Sequence, residues 1–412
     1  MDLRKDAQEI INAALKAAQP DIAVETALQE IRFEPGGRVV AVSLGKAAWQ
    51  MAKAASRALG KRIGQGIVIT KYGHLMGDIP RFTLREAGHP VPDGNSFSAT
   101  EEAIQLVSGL SPSDSVLLLI SGGGSALFEK PLISPDALYD ITGQLLRCGA
   151  DIKEMNTIRK RLSAVKGGRF AQLCAPAQVY SIILSDIIGD PLDMIASGPA
   201  YPDSSTSGDA LRIVSKYGLQ LPSEAMELLM KDTPKSLDNV RSLVTGSVKV
   251  LCQTASDTAA ALGYRPFILT ASLACQAREA GSFLGSIAQY NHSSDTSLAF
   301  IAGGETVVKL TGKGKGGRNQ EVALSAAGEI DGLTGTAVFS LGSDGTDGPT
   351  DAAGGYADWK TASMLREAGF DIHQVLSDND AYTALKAVGG LIMTGPTGTN
   401  VNDVSVLLIR HG

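Results

Sequence analysis

The stretch SVLLLISGGG, residues 115–124, is a continuous apolar run that stops in glycines. Such a run is typical of a central strand in a parallel sheet, because both faces of that sheet are covered by helices. The stretches GRVVAVSLG (37–45), GQGIVITKYG (64–73) and QVYSIILSDIIGD (178–190) have a similar design, and a helical stretch (46–59) follows the first of them. The first part of the chain is therefore predicted to form a Rossmann-like, doubly wound parallel sheet.

Two α/β domains are expected from the length of 412 residues, with residues 1–240 forming the first domain and residues 241–412 the second. The 46 glycines and the aromatic content of 5% are typical of α/β layers with many tight turns. In the second domain the strand-like runs 297–304 and 305–312 meet at a pair of glycines. This junction predicts a hairpin, and hence a mixed sheet.

Composition excludes several classes of protein. The net charge of −6 argues against a nucleic-acid binder, because duplex phosphates require a basic surface. No stretch approaches the ~20 apolar residues of a membrane span, and the first residues lack the apolar core of a signal peptide. The four cysteines form no CxxC pair, so reduced thiols are expected. The sequence thus predicts a cytoplasmic protein that binds a small anionic ligand, with no nucleic-acid or membrane partner.

The segment GKGKGGR, residues 312–318, places four glycines among three basic side chains. Glycine lets backbone N–H groups turn toward an anion, and the helix predicted to start at Arg318 adds its N-terminal dipole. Gly314, Gly316 and Gly317 are therefore predicted to bind the phosphates of a nucleotide. The segment also matches the dinucleotide fingerprint G-x-G-x-x-G, although its lysines make it more cationic than a dinucleotide turn requires.

Polar residues follow several predicted strands, at the end where parallel sheets bind ligands. Lys46 starts a helix whose dipole opposes its charge, which favours a functional role over that of an ordinary exposed lysine. The SGGGS loop after strand 115–120 is either an anion-binding turn or only a tight turn, and it lacks the Walker A spacing. Aspartates in the later loops hold Mg²⁺ or, alternatively, cap helices and shape turns. The residues concerned are Gly122, Gly123, Gly124, Ser125, Asp186, Asp190, Asp344 and Asp347.

A basic helix is predicted within residues 154–173. Its Asn156 and Arg159 lie three residues apart and therefore share one face, which meets either a ligand or solvent. Lys166 opens a KGGR segment that is similar to a second anion nest. Near the C-terminus, GPTGTNVNDV offers Asn400 and other polar groups, which orient a substrate or satisfy the loop. The five histidines do not cluster, which favours structural roles for them.

These motifs together resemble those of the class II glycerate kinases, the glycerate 2-kinase family whose C-terminal part is called the MOFRL domain. The similarity runs essentially from end to end. The motifs that carry it are SLGKAA (43–48), EAGHPVPD (86–93), SGGGSAL (121–127), NTIRKRLSAVKGGR (156–169), SDIIGDPLDMIASGP (185–199), GGRNQE (316–321), SDGTDGPTDAAG (343–354) and TGPTGTNVND (394–403).

The resemblance implies ATP-dependent phosphorylation of D-glycerate to 2-phosphoglycerate, with a divalent cation, in the cleft between two α/β domains. The first would be the Rossmann-like glycerate kinase domain and the second the MOFRL-type domain. Lys46 and Arg318 match the essential cationic pair of the family. The further residues that the resemblance places along the cleft are Asn156, Arg159, Asp186 and Glu305.

A hypothesis of roles follows from the motifs and the resemblance. Residues 122–125 and Lys166 hold phosphates of ATP, while Lys46 and Arg318 neutralise charge on the transferred phosphoryl group. Asp186 orients the 2-hydroxyl of glycerate, and Asn400 joins the substrate contacts. The metal is Mg²⁺, and one or more of Asp190, Asp344 and Asp347 hold it.

Two alternatives belong to other classes of protein. The first is an NAD(P)H-dependent hydroxypyruvate reductase, because some relatives of the family carry that name and the fingerprint at 312–317 fits a dinucleotide. The second is a non-catalytic sensor of nucleotides or anions, which would bind without turnover. The position of phosphorylation rests on the resemblance alone, and a homodimer is left open.

Overall fold

The computed structural model describes residues 2–411, which divide into two compact α/β units. The parallel-sheet unit contains residues 23–184 and 190–245. The mixed-sheet unit contains the residues up to Ile22, the segment Ser185–Gly189 and the residues from Gly246 onwards.

The elements are given in chain order. Up to residue 246 they are α1 (Leu3–Ala17), α2 (Pro20–Glu30), β1 (Val39–Leu44), α3 (Ala48–Leu59), a 3₁₀ turn (Gly60–Arg62), β2 (Ile63–Lys71), β3 (Phe82–Ala87), α4 (Gly94–Val107), β4 (Ser115–Ile120), α5 (Gly124–Leu127), α6 (Pro135–Arg147), α7 (Ile152–Arg161), α8 (Arg169–Cys174), β5 (Gln178–Leu184), a 3₁₀ turn (Ile195–Ser197), α9 (Ser207–Tyr217), α10 (Ser223–Leu229) and β6 (Val240–Gly246). From residue 247 they are α11 (Val248–Ala261), β7 (Arg265–Leu273), α12 (Ala277–Asn291), β8 (Leu298–Gly304), α13 (Arg318–Glu329), β9 (Thr336–Gly342), β10 (Gly354–Asp358), α14 (Thr361–Glu367), α15 (Ile372–Asp378), α16 (Ala381–Ala387), β11 (Leu391–Ile392) and β12 (Asp403–Ile409).

The sheet of the parallel-sheet unit has the strand order β3-β2-β1-β4-β5-β6. β1 pairs in parallel with both β2 and β4, and β3 and β5 continue the sheet in parallel. Every residue of β1 and β4 is buried, as their apolar sequences predict. This order is that of doubly wound sheets, in which ligands bind where the order reverses, beyond the carboxyl ends of the two central strands. The doubly wound fold expected from the sequence is confirmed.

The mixed-sheet unit has the strand order β11-β10-β9-β12-β8-β7. β7 and β8 are parallel, whereas β12 lies antiparallel between β8 and β9. The mixed character is therefore confirmed, but the hairpin predicted across residues 297–312 is wrong. Both edges of β8 are occupied, so residues 305–307 continue beside the end of β7. Glu305 N–H donates to the Leu273 carbonyl at 2.8 Å and Val307 N–H to the Cys275 carbonyl at 3.0 Å.

The first helix packs with the mixed-sheet unit, although its sequence lies at the other end of the chain. Ile10 is fully buried on α1, in a core with residues of α11, β9 and β12 such as Leu251, Phe339 and Val406. The hydroxyl of Tyr264 also donates to Asp6 at 2.7 Å. A single boundary at residues 240 and 241 does not describe these discontinuous units, because sequence alone does not reveal which core an amphipathic terminal helix joins.

No helix within residues 2–411 combines the length and apolar character needed to cross a bilayer. The four cysteines are free thiols, as expected, and Cys174 and Cys252 are buried.

Ile10→Ala is expected to lower the free energy of unfolding by about 2–5 kcal/mol, because it leaves a cavity in a packed core. Ile152→Ala provides the control, since Ile152 is 63% exposed. Urea denaturation of both variants measures the effect. If Ile10→Ala were as stable as the wild type, α1 would not be anchored in this core.

Candidate active-site residues

Lys46 lies at the point where the strand order of the parallel sheet reverses. Its backbone N–H donates to the carbonyl of Gly122 at 2.9 Å, which ties the end of β1 to the loop after β4. The hydroxyl of Ser121 accepts the N–H of Ala47 at 3.0 Å. The side chain of Lys46 is exposed. The structure therefore brings together Lys46 and the SGGGS loop, which the sequence placed after different strands.

Two histidines lie beside Lys46, although the sequence analysis favoured structural roles for all five histidines. His74 Nδ1 is 3.2 Å from the carbonyl oxygen of Lys46. A Cβ on Gly123 would lie 3.1 Å from His89 Nε2 and 3.2 Å from Lys46 Cγ, so a glycine leaves space for both side chains. Burial lowers the pKa of His89, and the charges of Lys46 and Lys71 lower it further. The available signal was the position of Lys71 and His74 at the carboxyl end of β2, which Lys71 ends and His74 follows.

The predicted polar face of α7 meets the same loop. Arg159 Nη2 donates to the carbonyl of Ser125 at 3.3 Å. Asn156 Oδ1 accepts a hydrogen bond from the Ser197 hydroxyl at 3.0 Å, and that hydroxyl lies 3.0 Å from the hydroxyl of Ser125. The sequence left open whether this face meets a ligand or solvent. The contacts show that it borders the SGGGS loop, which favours the first interpretation.

Lys166 does not lie on this surface. Its side chain is fully buried, with Nζ 2.8 Å from Glu129 Oε2 and 2.9 Å from the carbonyl of Phe128. Burial lowers the pKa of Lys166 to about 8, although Glu129 opposes that shift. The phosphate-binding role expected for Lys166 is therefore not supported. Its ammonium group is held inside the core by Glu129, which lies outside the KGGR motif.

In the mixed-sheet unit, Arg318 is held by two carboxylates. Its Nε and Nη2 donate to the two oxygens of Asp403 at 2.6 and 3.0 Å, and Nη1 donates to Glu305 at 2.9 Å. Gly304 pairs with Asp403 across β8 and β12, so both carboxylates lie at one end of the sheet. Burial opposes the charge of Arg318, but the bonds with Asp403 outweigh this and raise its pKa. Helix α13 begins at Arg318, as predicted.

Asp186 lies in the same unit and close to this cluster. Asn402 Nδ2 donates to the carbonyl of Asp186 at 3.1 Å and to Glu305 Oε2 at 3.3 Å. The exposed Asn400 accepts the N–H of Asn402 through Oδ1 at 3.4 Å. The structure thus links Asp186, Glu305 and Asn400 through Asn402, another polar group of the GPTGTNVNDV segment.

The glycine-rich loop uses most of its N–H groups on its own protein. The N–H groups of Thr311 and Gly312 donate to Asn379 Oδ1 at 2.8 and 2.9 Å, and that of Gly314 to the Asp378 carbonyl at 2.8 Å. Those amides are not available to a phosphate. The loop also follows no strand directly, because β8 ends at Gly304. The strand-turn-helix context of a dinucleotide fingerprint is therefore absent.

The glycines of this loop are required by close packing. A Cβ on Gly314 would lie 2.4 Å from Asp380 Cβ, and one on Gly316 3.1 Å from the carbonyl oxygen of Asn379. A Cβ on Gly317 would lie 2.4 Å from Asp347 Oδ2. The glycines that suggested a phosphate-binding loop thus have a packing role. They allow the loop to lie directly against the turn before α16 and against Asp347.

Asp347 caps α13. Its buried carboxylate accepts the N–H of Asn319 at 3.1 Å and that of Gln320 at 2.9 Å. Burial raises the pKa of Asp347 to about 6, although the two amides oppose the shift. Both oxygens hold the start of the helix from a buried position, so the contacts favour N-terminal capping over metal binding for Asp347.

Asp344 and Asp190 are the two other carboxylates expected to hold a metal. Asp344 is half-buried, and its Oδ1 accepts the N–H of Thr346 at 2.9 Å. Asp190 lies in the parallel-sheet unit, at a left-handed φ of 54°. Residues 2–411 contain no cluster of three or more metal-binding side chains. Mg²⁺ in nucleotide sites usually needs only one or two carboxylates beside phosphate oxygens, so either aspartate fits that ion.

Asp347→Asn is expected to change how stability depends on pH. The pKa of Asp347 rises from 3.8 to about 6 on folding, so its contribution to stability is largest below pH 3.8 and is lost as the pH rises through about 6. Asparagine does not titrate. The free energy of unfolding of the variant, relative to the wild type, should therefore increase by roughly 1–3 kcal/mol between about pH 4 and pH 7.

Urea denaturation at the two pH values measures this difference. Asp371→Asn is the matched control, because Asp371 caps α15 from an exposed position. An equal pH response of the two variants would contradict the burial of Asp347 as its cause.

Two family models match the chain. One is described as a domain of unknown function, DUF4147, and covers residues 6–230. The other is described as the MOFRL family and covers residues 298–403.

Similar proteins match over nearly the whole length. A D-glycerate 2-kinase of Thermotoga maritima is 50% identical, over 99% of this chain and 98% of its own. A protein of Agrobacterium vitis named putative hydroxypyruvate reductase is 39% identical, over 98% of this chain and 94% of its own. The crystal structure of a glycerate kinase from Thermotoga maritima matches with a TM-score of 0.94 at 50% identity, over 99% of each chain.

Proposed function

Since the chain belongs to the glycerate kinase family with a MOFRL domain, we propose that it transfers the γ-phosphoryl group of ATP to the 2-hydroxyl of D-glycerate. The name of the Thermotoga relative supports the acceptor and the position of transfer. The observation within this chain that carries the proposal is Arg318, fixed by Asp403 and Glu305 at the start of α13.

The role of Arg318 follows from its geometry. Its guanidinium is bound on two sides, and the side chain as a whole remains 34% exposed. A planar cation with its orientation already fixed can stabilise charge on a phosphoryl group without a further ordering cost. We propose that Arg318 stabilises the negative charge that spreads over the oxygens of the transferred group. Phosphoryl transfer depends mainly on positioning and electrostatics, which a fixed cation provides.

Lys46 supplies the second cation of the proposed mechanism. Its exposed ammonium extends from the end of β1, beside the SGGGS loop and two histidines. The charges of Lys46 and Lys71, which both act on His89, favour an anionic ligand at this place. We propose that Lys46 stabilises the same phosphoryl group. The adjoining residues Asn156, Arg159 and Ser125 would bind the anionic groups of the substrates.

Asp186 and the divalent cation complete the proposal. Asp186 lies near Arg318 through Asn402, and we assign to it the orientation of the glycerate 2-hydroxyl. Asp344 and Asp190 are the carboxylates that would hold Mg²⁺, which supplies charge neutralisation at the β- and γ-phosphate oxygens when it is bound. Asp347 is omitted, because it caps α13.

The reductase alternative rests on the name of the Agrobacterium relative. The 312–317 fingerprint no longer supports it, because that loop lacks the preceding strand and donates its amides to residues 378 and 379. Two assays separate the functions: ATP–Mg with D-glycerate, followed by phosphorus NMR of the product, and NADH with hydroxypyruvate. The proposal expects 2-phosphoglycerate and no NADH oxidation. NADH oxidation without phosphoryl transfer would overturn it.

Arg318→Lys is expected to lower kcat by on the order of 10²-fold or more, because a lysine cannot bond Asp403 at two points and also reach Glu305. The charge is kept, so the buried Asp403 is not left without a cation. Arg366→Lys is the matched control, since Arg366 forms an exposed ion pair with Asp331 in the same unit. Steady-state kinetics of the two variants test the role, and near-normal kcat for Arg318→Lys would remove Arg318 from the mechanism.

A further inference from the structure

A cavity of about 740 Å³ lies beside the start of α13, entirely within the mixed-sheet unit. Its volume is in the range of small-molecule sites, roughly 300–1,000 Å³. The glycine-rich loop forms one wall and Arg318 lies in the lining. None of the sequence motifs predicted a cavity here.

The walls of this cavity are largely apolar. Leu310 and Val307 belong to the lining and are 81% and 57% exposed. Ile188, Val308 and Pro349 add further apolar surface. Apolar side chains gathered around a concave surface, with a cation at its rim, form a lining typical of sites for ligands with a flat apolar part and an anionic part.

The lining also contains a buried hydroxyl without a partner. Thr306 is only 5% exposed, and its Oγ1 has no hydrogen-bond partner among the residues that the structure describes. Buried polar groups in folded proteins are nearly always hydrogen-bonded, because an unsatisfied group retains its desolvation penalty. A ligand in the cavity would supply the missing partner.

Two further polar groups lie in the cavity lining. Glu321 is buried, and one of its oxygens accepts a hydrogen bond from Asn379 Nδ2 at 2.8 Å. Burial raises the pKa of Glu321. The amide of Asn379 is used within the protein, which leaves the Thr306 hydroxyl and the Glu321 carboxyl group to form hydrogen bonds with the edge of a nitrogen heterocycle.

We infer that this cavity binds the purine nucleoside part of the phosphoryl donor, with its phosphates directed toward Arg318. The inference rests on the proposed kinase function and adds a location for the base. Glycerate is too small and too polar to require an apolar wall of this size. The glycine-rich loop therefore packs against the base instead of wrapping the phosphates, which agrees with the use of its amides inside the protein.

The decisive variant is Thr306→Val, which removes the hydroxyl and keeps the shape. Replacing an unsatisfied buried hydroxyl by a methyl group should leave Tm unchanged or raise it. Binding of AMP-PNP with Mg²⁺, and of adenosine alone, should weaken roughly 3- to 10-fold. Thr336→Val is the matched control: its hydroxyl is also buried and unpartnered within the described part of the chain, but it lies outside this cavity.

A second variant tests the apolar wall. Leu310→Asp introduces a charge at an exposed position, so folding should be preserved while the KM for ATP rises and the KM for D-glycerate changes little. Met393→Asp is the control, because Met393 is also an exposed apolar side chain of this unit.

Calorimetric titration of the full chain with both probes, together with kinetics, gives distinct outcomes. Weaker adenosine and AMP-PNP binding in Thr306→Val and Leu310→Asp, with both controls unchanged, supports the inference. Kinase activity with unchanged nucleotide binding in both variants overturns the inference and leaves the proposed function intact. If both variants weaken adenosine binding but the chain phosphorylates no substrate, the cavity is still a nucleoside site. The proposed kinase function is then rejected.

Discussion

The pairing of β8 with β12 determines the chemistry of the mixed-sheet unit. It places Glu305, directly after β8, and Asp403, at the start of β12, at one end of the sheet. Two carboxylates so close would repel each other without a cation, and Arg318 supplies it with hydrogen bonds to both. Because Arg318 is also the first residue of α13, one ion-pair cluster fixes the sheet, the helix and the direction of the guanidinium.

Other polar groups of the same unit support that cluster. Asp347 holds the N-terminus of α13 from inside the protein, and Asp378 and Asn379 hold the glycine-rich loop in front of it. A helix start that is already capped by an internal carboxylate does not offer its amides to a phosphate. In the proposed mechanism, the side chain of Arg318 therefore binds the anion in place of the backbone amides.

The parallel-sheet unit divides its charges in a comparable way. In the basic motif of residues 156–169, Lys160 pairs with Asp203 at 3.1 Å and Lys166 with Glu129 at 2.8 Å, and all four side chains are buried. Such pairs hold loops against the core, and removing one partner would strand a buried charge. Arg159 also lies near Glu129, at 4.0 Å, but its guanidinium in addition donates to the carbonyl of Ser125.

Much of the architecture could be predicted from the sequence, because fully apolar strands and the glycines after them report burial directly. The doubly wound sheet and the start of α13 at Arg318 followed from such local patterns. Lys166 and Asp347 could not be assigned in this way. Their partners come from distant parts of the chain, and a cationic motif gives no sign of whether its ammonium group meets solvent or a buried carboxylate.

The hairpin at Gly303 and Gly304 was mispredicted for a related reason. Strand-like composition at residues 305–312 does not reveal that both neighbours of β8 are already in place. His74 and His89 were left as structural residues because their approach to Lys46 depends on loops after different strands. Local patterns thus predicted the elements, whereas the tertiary contacts decided which polar groups remain available to a ligand.

In the proposed mechanism, Lys46 and Arg318 stabilise the same migrating phosphoryl group. A double-mutant cycle on kcat with Lys46→Ala and Arg318→Lys, using ATP–Mg and D-glycerate, tests it most directly. Groups that act on one transition state give a combined loss clearly different from the product of the two single losses. The account predicts that non-additivity. Strictly multiplicative losses, or an unaffected kcat in either single variant, would contradict it.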